Sequence, residues 1–262
     1  MNIIVCIKQV PATTEIKIDP ATNTLVREGT ESIVNPFDVY ALEEAIRIKE
    51  EFGGKVTAIT MGPPHAAEAL KEAIAVGADD VILLSDRAFA GADTLATSHT
   101  LSKGIEKLGD FDLIICGKQT MDGDTAQVGP EIAEKLGVPI VTYVSQIKKI
   151  EDGHIQLQRM VEDGYEVVET EKPLVITVVK EINEPRVPSL RGMMRAKKAE
   201  IPVWTAKDIN AEEEKIGLLG SPTQVVTIFV PEVSRKGERF EGEADKIVEQ
   251  LIGKLKEDKV LN

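Results

Sequence analysis

The strongest constraint on this chain is a repeating texture. Short, unbroken apolar runs are separated by longer stretches whose apolar residues recur every three or four positions. The runs are Ile3–Ile7, Val56–Met61, Val81–Leu84, Leu113–Cys116 and Val138–Val144. A strand that is apolar on consecutive residues is buried on both faces, which requires helices on both sides of its sheet. The intervening helices are predicted at Pro36–Glu51, His65–Val76, Thr94–Leu108 and Pro130–Leu136, with stripes such as Leu42, Ala45 and Ile46, or Leu70, Ala73 and Ile74. Strand and helix alternate throughout. The expected fold is α/β, a doubly wound, mostly parallel, Rossmann-like sheet.

Punctuation agrees with these elements. Asn35 and Pro36 read as an N-cap and a first helical residue, with Asp38 near the positive end of the helix dipole. Gly53, Gly77 and Gly137 stop three of the helices. After Val144 the texture turns to strict alternation, with Ile155, Leu157 and Arg159, then Tyr165, Val167 and Glu169, around an Asp163-Gly164 turn. That predicts an antiparallel hairpin over about 145–172, followed by a last core strand at Leu174–Val179. From Asn183 the periodicity dissolves, and a polar tail leads to a final helix near Glu243–Glu257. The expected organisation is an α/β domain over 1–198 and a C-terminal arm over 199–262, too poor in periodic apolar positions to hold a core of its own.

At 262 residues and 42% hydrophobic content the chain can form a core without staples. Its two cysteines, Cys6 and Cys116, sit in apolar runs 110 positions apart, which suggests buried reduced thiols and a cytoplasmic protein. The apolar run at the N-terminus is five residues long and predicts a first strand, not a membrane span or signal. A net charge of −13 disfavours nucleic acid and anionic membrane surfaces.

A doubly wound sheet binds ligands beyond the C-terminal ends of its strands. Those ends carry Lys8-Gln9-Val10-Pro11, Met61-Gly62-Pro63-Pro64, Gly91-Ala92-Asp93-Thr94, and the long turn Gly117-Lys118-Gln119-Thr120-Met121-Asp122-Gly123-Asp124-Thr125-Ala126-Gln127-Val128-Gly129. The last turn sets glycines and hydroxyls between a buried strand and a helix, where backbone N–H groups can face an anion. It also matches an ordinary polar αβ connection. Asp122 and Asp124 would oppose a phosphate unless they cap the helix, bond a ribose hydroxyl or point away. A calcium loop fails on Gln127 and Ala133, which stand where glycine and glutamate are needed, and neither a GxxxxGK nor a GxGxxG signature occurs.

No general acid–base constellation emerges. His65, His99 and His154 are scattered, so no catalytic residue is assigned. Between Arg186 and Lys198 the basic residues Arg186, Arg191, Arg195, Lys197 and Lys198 lie among Val187, Pro188, Leu190, Met193 and Met194, with no acid among them. The segment reads either as a solvated loop or as a docking element that offers adaptable apolar side chains and steering charge.

Three segments together resemble one family. They are Val34-Asn35-Pro36-Phe37-Asp38 with Ala41-Leu42-Glu43-Glu44-Ala45, then Gly117-Lys118-Gln119 with Asp122-Gly123-Asp124-Thr125 and Gln127, then Asn183-Glu184-Pro185-Arg186 with Met194-Arg195-Ala196-Lys197-Lys198. In order, spacing and total length the chain resembles the beta (small) subunit of electron-transfer flavoproteins. The resemblance implies an adenine-nucleotide-hydrolase-like fold, a heterodimer with a larger alpha subunit, and an arm embracing that partner. It further implies a nucleotide held by Cys6, by Asn35, Phe37 and Asp38, by Met61, and by the loop from Gly117 to Val128, with Lys8 and Gly62 at neighbouring strand ends. The segment around Leu190 resembles the loop by which the family docks an acyl-CoA dehydrogenase-like enzyme, and it takes in Pro188, Arg191, Met193, Met194, Arg195 and Lys197.

Within the family, Asp124–Gly129 and Gly91–Ser98, the latter with Asp93, Thr94 and Thr97, look more like the electron-bifurcating branch. That branch carries FAD here, takes a hydride from NADH, and delivers electrons to ferredoxin or flavodoxin and to the dehydrogenase. The other branch carries AMP in the same place. An ATP-pyrophosphatase on the same fold would need a serine- and glycine-rich loop after strand one, which Lys8-Gln9-Val10-Pro11 does not resemble.

Overall fold

A computed structural model describes residues 1–12, 18–19, 24–25, 32–151, 153–226 and 237–261. Its main sheet has nine strands: β1 (Asn2–Cys6), β2 (Lys55–Met61), β3 (Asp80–Leu84), β4 (Leu113–Gly117), β5 (Ile140–Glu151), β6 (His154–Val161), β7 (Gly164–Glu171), β8 (Leu174–Val178) and β9 (Val203–Trp204). The helices are α1 (Pro36–Phe52), α2 (Ala67–Val76), α3 (Thr94–Leu108), α4 (Val128–Leu136), α5 (Leu190–Lys198) and α6 (Ala244–Glu257). Across the sheet the order is β7-β6-β5-β8-β4-β1-β2-β3-β9. Every pair from β5 to β9 is parallel. The two pairs made by β6 are antiparallel. The doubly wound α/β expectation holds.

Alternation along each strand builds two cores, one on each face. Ile3 and Val5 of β1 join Leu42, Ala45 and Ile46 of α1 and Leu70 and Ala73 of α2. Ile4 and Cys6 face the other way, onto Leu101 and Ile105 of α3 and Ile132 of α4. The side chains of Ile3, Ile59, Leu70, Ile105 and Ile132 are fully buried, each stabilising the fold by roughly 1.5–3 kcal/mol relative to exposure. Gly104 lets α3 lie close to the sheet, because a Cβ there would stand 2.9 Å from Ile59 Cδ1 and from Leu84 Cδ1. That approach fixes the N-terminus of α3 over the ends of β1 and β2.

Four details depart from the sequence expectation. Strand β5 starts at Ile140 and runs on to Glu151; Tyr143 takes a φ of 59° where the strand passes from parallel pairing with β8 to antiparallel pairing with β6. Helix α4 begins at Val128, two residues before Pro130, and the first turn of a helix accepts a proline. The segment 183–198 is not wholly irregular, since Ser189 caps α5 by accepting from the Gly192 N–H at 3.0 Å. A Cβ on Gly192 would overlap the Ala75 carbonyl, so only glycine lets α5 approach α2 this closely.

The fourth is the boundary of the main domain, which lies beyond the expected 198. The first compact unit is Met1–Thr227 and the second Ile228–Asn262. Val203 and Trp204 pair with Leu83 and Leu84 as an edge strand, so the start of the expected arm belongs to the sheet. Residues 227–236 of that arm lie outside the described residues, and the described part of the second unit holds α6. Among the described residues no helix is long and apolar enough to cross a membrane.

Candidate functional site

The chain winds from β1 to β2 and β3 on one side, then crosses back to β4 on the other. The order reverses between β1 and β4. Helices leave opposite faces of the sheet at such a point, and a crevice opens beyond the strand ends. A cavity of about 340 Å³ lies there, within the range of small-molecule sites. Cys6 and Cys116 form its floor, Met61 one side, the 117–129 loop the opposite side, and Ala92, Thr94 and Thr97 at the start of α3 the far wall.

Asp38 clasps the two central strands under this cavity. Its carboxylate accepts from the Lys8 N–H at 2.8 Å and from the Gly117 backbone. Gly117 is obligatory, because a Cβ would run into that carboxylate and into Phe37. Burial pushes the Asp38 pKa up to about 7, against the hydrogen bonds from Asn35 and from the Lys8 and Gly117 backbone, which pull it down.

Asn35 sits where an N-cap would, but its side chain makes no cap bond. Fully buried, it donates from Nδ2 to the Gln119 carbonyl at 2.9 Å, and its Oδ1 accepts from the Met121 N–H at 3.0 Å. Helix α1 is started by the Asn35 carbonyl, which accepts from Asp38 N–H at 2.9 Å. The asparagine is therefore a clamp on the long loop.

The loop's charges are resolved by pairing. Lys8 Nζ lies 2.8 and 2.7 Å from the two Asp122 oxygens. Burial raises the Asp122 pKa, but the Lys8 hydrogen bond and charge more than offset this and leave it below its ordinary value. Asp124 accepts from Gln119 Nε2 and takes a left-handed φ of 50°. Neither carboxylate lines the cavity, so the two acids turn away from the place an anion would occupy. Backbone N–H groups from Ala126 to Gly129 have no hydrogen-bond partner among the described residues, and they end at the N-terminus of α4. Lys118 adds a cation near the mouth, with Nζ 5.2 Å from the Phe37 ring and 5.7 Å from the Tyr143 ring.

At the far wall, Thr94 Oγ1 is 3.1 Å from Gln127 Oε1 and 3.0 Å from Glu131 Oε1, with one proton to share between them. The other Glu131 oxygen is buried without a partner. Asp93 caps α3, accepting from the Ala96 N–H at 3.1 Å, and also accepts from Thr223. Unpaired N–H groups, a lysine and the polar side chains of Thr94, Thr97 and Gln127 form a donor and acceptor set on the cavity lining that fits a phosphate-bearing, hydroxylated ligand such as a nucleotide.

Of the residues singled out from sequence, the cavity gathers Cys6, Lys8, Asp38, Met61, Asp93, Thr94, Thr97, Gly117–Thr120, Gly123 and Thr125–Val128. Asn35, Phe37, Gly62, Met121, Asp122 and Asp124 lie outside its lining and act as supports or turn away. The lining also includes Gly129, the end of the expected loop, and Ile7, Leu101 and Cys116, which sequence reasoning missed. Leu101 could have been found, since Thr94, Thr97 and Leu101 recur at helical spacing on one face. Gly129 is needed behind the loop, where a Cβ would stand 2.6 Å from Thr177 Cγ2.

The basic segment lies apart from the cavity. Arg186 is bound to Glu43 at 2.8 Å and Glu50 at 2.6 Å, and Arg195 donates to the carbonyls of Ile74 at 2.6 Å and Ala78 at 2.5 Å. These two cations serve the fold and are not free to steer a partner, contrary to the sequence reading of five docking charges. Leu190, Met193 and Met194 are exposed on α5, and Val187 just before it.

Comparison with known proteins agrees with this geometry. Residues 22–209 match the model of the electron transfer flavoprotein domain. The chain is 53% identical to an electron transfer flavoprotein subunit beta of Thermoanaerobacterium thermosaccharolyticum, over 97% of this chain and 98% of that protein. It is 50% identical, end to end, to the caffeyl-CoA reductase-Etf complex subunit CarD of Acetobacterium woodii. To the protein FixA of Azotobacter vinelandii it is 45% identical, over 97% of this chain and 94% of that one.

Proposed function

The chain belongs to the electron transfer flavoprotein family as a beta-subunit type, and on that premise we propose that it is the nucleotide-bearing subunit of an electron-bifurcating complex. An FAD in this cavity would supply hydride acceptance from NADH and separation of the electron pair, one electron going to ferredoxin or flavodoxin and the other through an alpha-subunit FAD to an acyl-CoA dehydrogenase-like enzyme. The protein's part is binding and orientation. Residues 126–129 would present N–H groups to the pyrophosphate, and Lys118 would add charge. Thr94 and Gln127 would take hydroxyl protons along the sugar or its ribityl extension.

The observation that carries the FAD reading is the far wall. Ala92, Thr94 and Thr97 are small there, and they extend the lined space beyond the loop that would hold the phosphates. The likeness to a subunit of a reductase-Etf complex supports the same reading. AMP, as in a single-electron carrier, is the second reading, favoured by a cavity volume near the lower end for ligand sites.

Extraction of the purified heterodimer, with FAD and AMP counted per complex, separates the two. Two FAD per heterodimer supports bifurcation; one FAD with one AMP overturns it. The segment around α5 is proposed as the dehydrogenase contact, with Leu190, Met193 and Met194 as its apolar face and Arg191 and Lys197 as its charges.

A further inference from the structure

Cys6 and Cys116 are far apart in sequence, yet they are direct register partners on the adjacent parallel strands β1 and β4. Both are buried, belong to the same core, carry free thiols and line the cavity floor. Neighbouring strands run roughly 4.8 Å apart, inside the range of about 4.4–6.8 Å between Cα atoms that a disulfide spans. The same spacing exceeds the usual separation of Cβ atoms in a disulfide, roughly 3.5–4.5 Å, so a bond formed here is strained and easily reduced. Such a bond suits reversible chemistry better than a permanent staple. The nucleotide reading asks Cys6 for contact with the ligand and gives neither sulfur a redox task.

We propose that Cys6 and Cys116 form a redox-active dithiol on the cavity floor, which a peroxide-class oxidant converts to a cross-strand disulfide only when the cavity is empty of nucleotide. The gating half of this proposal rests on the reading of the cavity as a nucleotide site. Access decides it. Cys6 and Cys116 lie at the C-terminal ends of β1 and β4, and both buried residues border the cavity. A nucleotide seated over them excludes the oxidant.

The chemistry balances with peroxide alone. The Cys6 sulfur attacks one peroxide oxygen, the O–O bond breaks, and water leaves, giving a sulfenic acid. The Cys116 sulfur then attacks the Cys6 sulfur, the S–S bond forms, the S–O bond breaks, and a second water leaves. Two thiols and one peroxide yield one disulfide and two waters, with two electrons passing from sulfur to oxygen. Contact with the Cys6 sulfur, burial, and the nearby Asp38 carboxylate all push the Cys116 thiol well up. The balance is the same whichever sulfur reacts first, since the two are direct register partners.

The test uses the purified complex with its alpha subunit, as isolated and after nucleotide depletion, with bound nucleotide measured in both. Each sample is exposed to hydrogen peroxide, then digested without reductant and examined by mass spectrometry. The depleted complex is expected to yield a Cys6–Cys116 linked peptide at least about tenfold faster than the loaded one, and added FAD or AMP to restore protection. Dithiothreitol should reverse the link. In Cys116→Ser the Cys6 sulfur should stop at sulfenic acid and be trapped by dimedone. Absence of the linked peptide from the depleted complex overturns the dithiol, while nucleotide found in the isolated complex would still support the cavity reading. Equal linking rates with nucleotide present and absent overturn the gating. A complex isolated with no nucleotide in this subunit overturns the cavity reading itself, whatever the sulfurs do.

Discussion

Asn35→Ala should loosen the nucleotide loop without unmaking the fold. Asn35 is fully buried and holds the loop by two hydrogen bonds, 2.9 Å to the Gln119 carbonyl and 3.0 Å from the Met121 N–H. A buried hydrogen bond contributes about 1 kcal/mol net, and an orphaned partner costs more, so the pair is worth about 2 kcal/mol. Helix α1 keeps its start, because the backbone carbonyl of residue 35 accepts the first helical N–H whatever the side chain. The loss therefore falls on the order of residues 119–121 and the donors beyond them, and on Asp38, which also loses its hydrogen bond from Asn35. About 2 kcal/mol corresponds to roughly 30-fold weaker nucleotide binding. Titration calorimetry on the nucleotide-depleted heterodimer measures it, with thermal unfolding of the depleted protein run alongside. Asn35→Asp keeps the acceptor for Met121 but sets a carboxylate against the Gln119 carbonyl and beside Asp38, so it should bind more weakly than the alanine variant above neutral pH. An Asn35→Ala protein that melts several degrees lower but binds nucleotide with unchanged affinity would refute the clamp and make Asn35 a core residue only.

Other consequences follow from the same contacts. Asp38 is raised from 3.8 to about 7, so the folded state holds a proton that the unfolded state has lost. Its stabilisation is full below about pH 4 and fades as pH rises through 7, by up to roughly 4 kcal/mol; the wild-type advantage over Asp38→Asn in urea unfolding should shrink across that window, and a difference constant from pH 4 to 8 would contradict it. Arg186→Ala strands Glu43, whose side chain is 6% exposed, and should cost about 3 kcal/mol by urea denaturation, with Arg186→Lys recovering part of it; a loss below about 0.5 kcal/mol would mark the pair as a surface contact. Leu190→Ala, 72% exposed on α5, should leave stability and nucleotide content intact while slowing electron transfer to the dehydrogenase partner several-fold. Unchanged transfer removes α5 from the docking surface.

Periodicity made the sheet legible. Continuous apolar runs marked β1 to β4 as central strands, and glycine and proline marked most helix ends, because burial on both faces and backbone conformation leave local signatures. What stayed hidden were effects of register and approach. Cys6 and Cys116 look unrelated in sequence, and only the pairing of β1 with β4 sets them side by side. The helix at 190–198 was obscured by Gly192, which lowers local helix propensity yet is what admits α5 against the Ala75 carbonyl. Val203–Trp204 is too short for any periodic signal and becomes a strand only because β3 offers a free edge.

The three segments that carry the family resemblance turn out to be fastened to one another. Asn35 of the first grips Gln119 and Met121 of the second. Glu44 and Tyr40 of α1 accept from Asn183 of the third, at 2.9 Å and 3.1 Å, and Glu43 accepts from Arg186. The segments that carry the resemblance thus hold connectors as well as cavity-lining residues. Asn35, Met121, Asp122 and Asp124, expected at the ligand, lie outside the cavity lining and bond to the loop, from it or within it. This division predicts how the site responds to damage. Changes to connectors should weaken nucleotide binding and stability together, whereas changes to Thr94 or Thr97, which line the cavity on a rigid helix, should alter the bound nucleotide while leaving unfolding nearly unmoved. Thr97→Val tests this most simply, since it preserves size and removes one hydroxyl. A Thr97→Val complex with lowered stability and unaltered nucleotide affinity would reverse the assignment of roles.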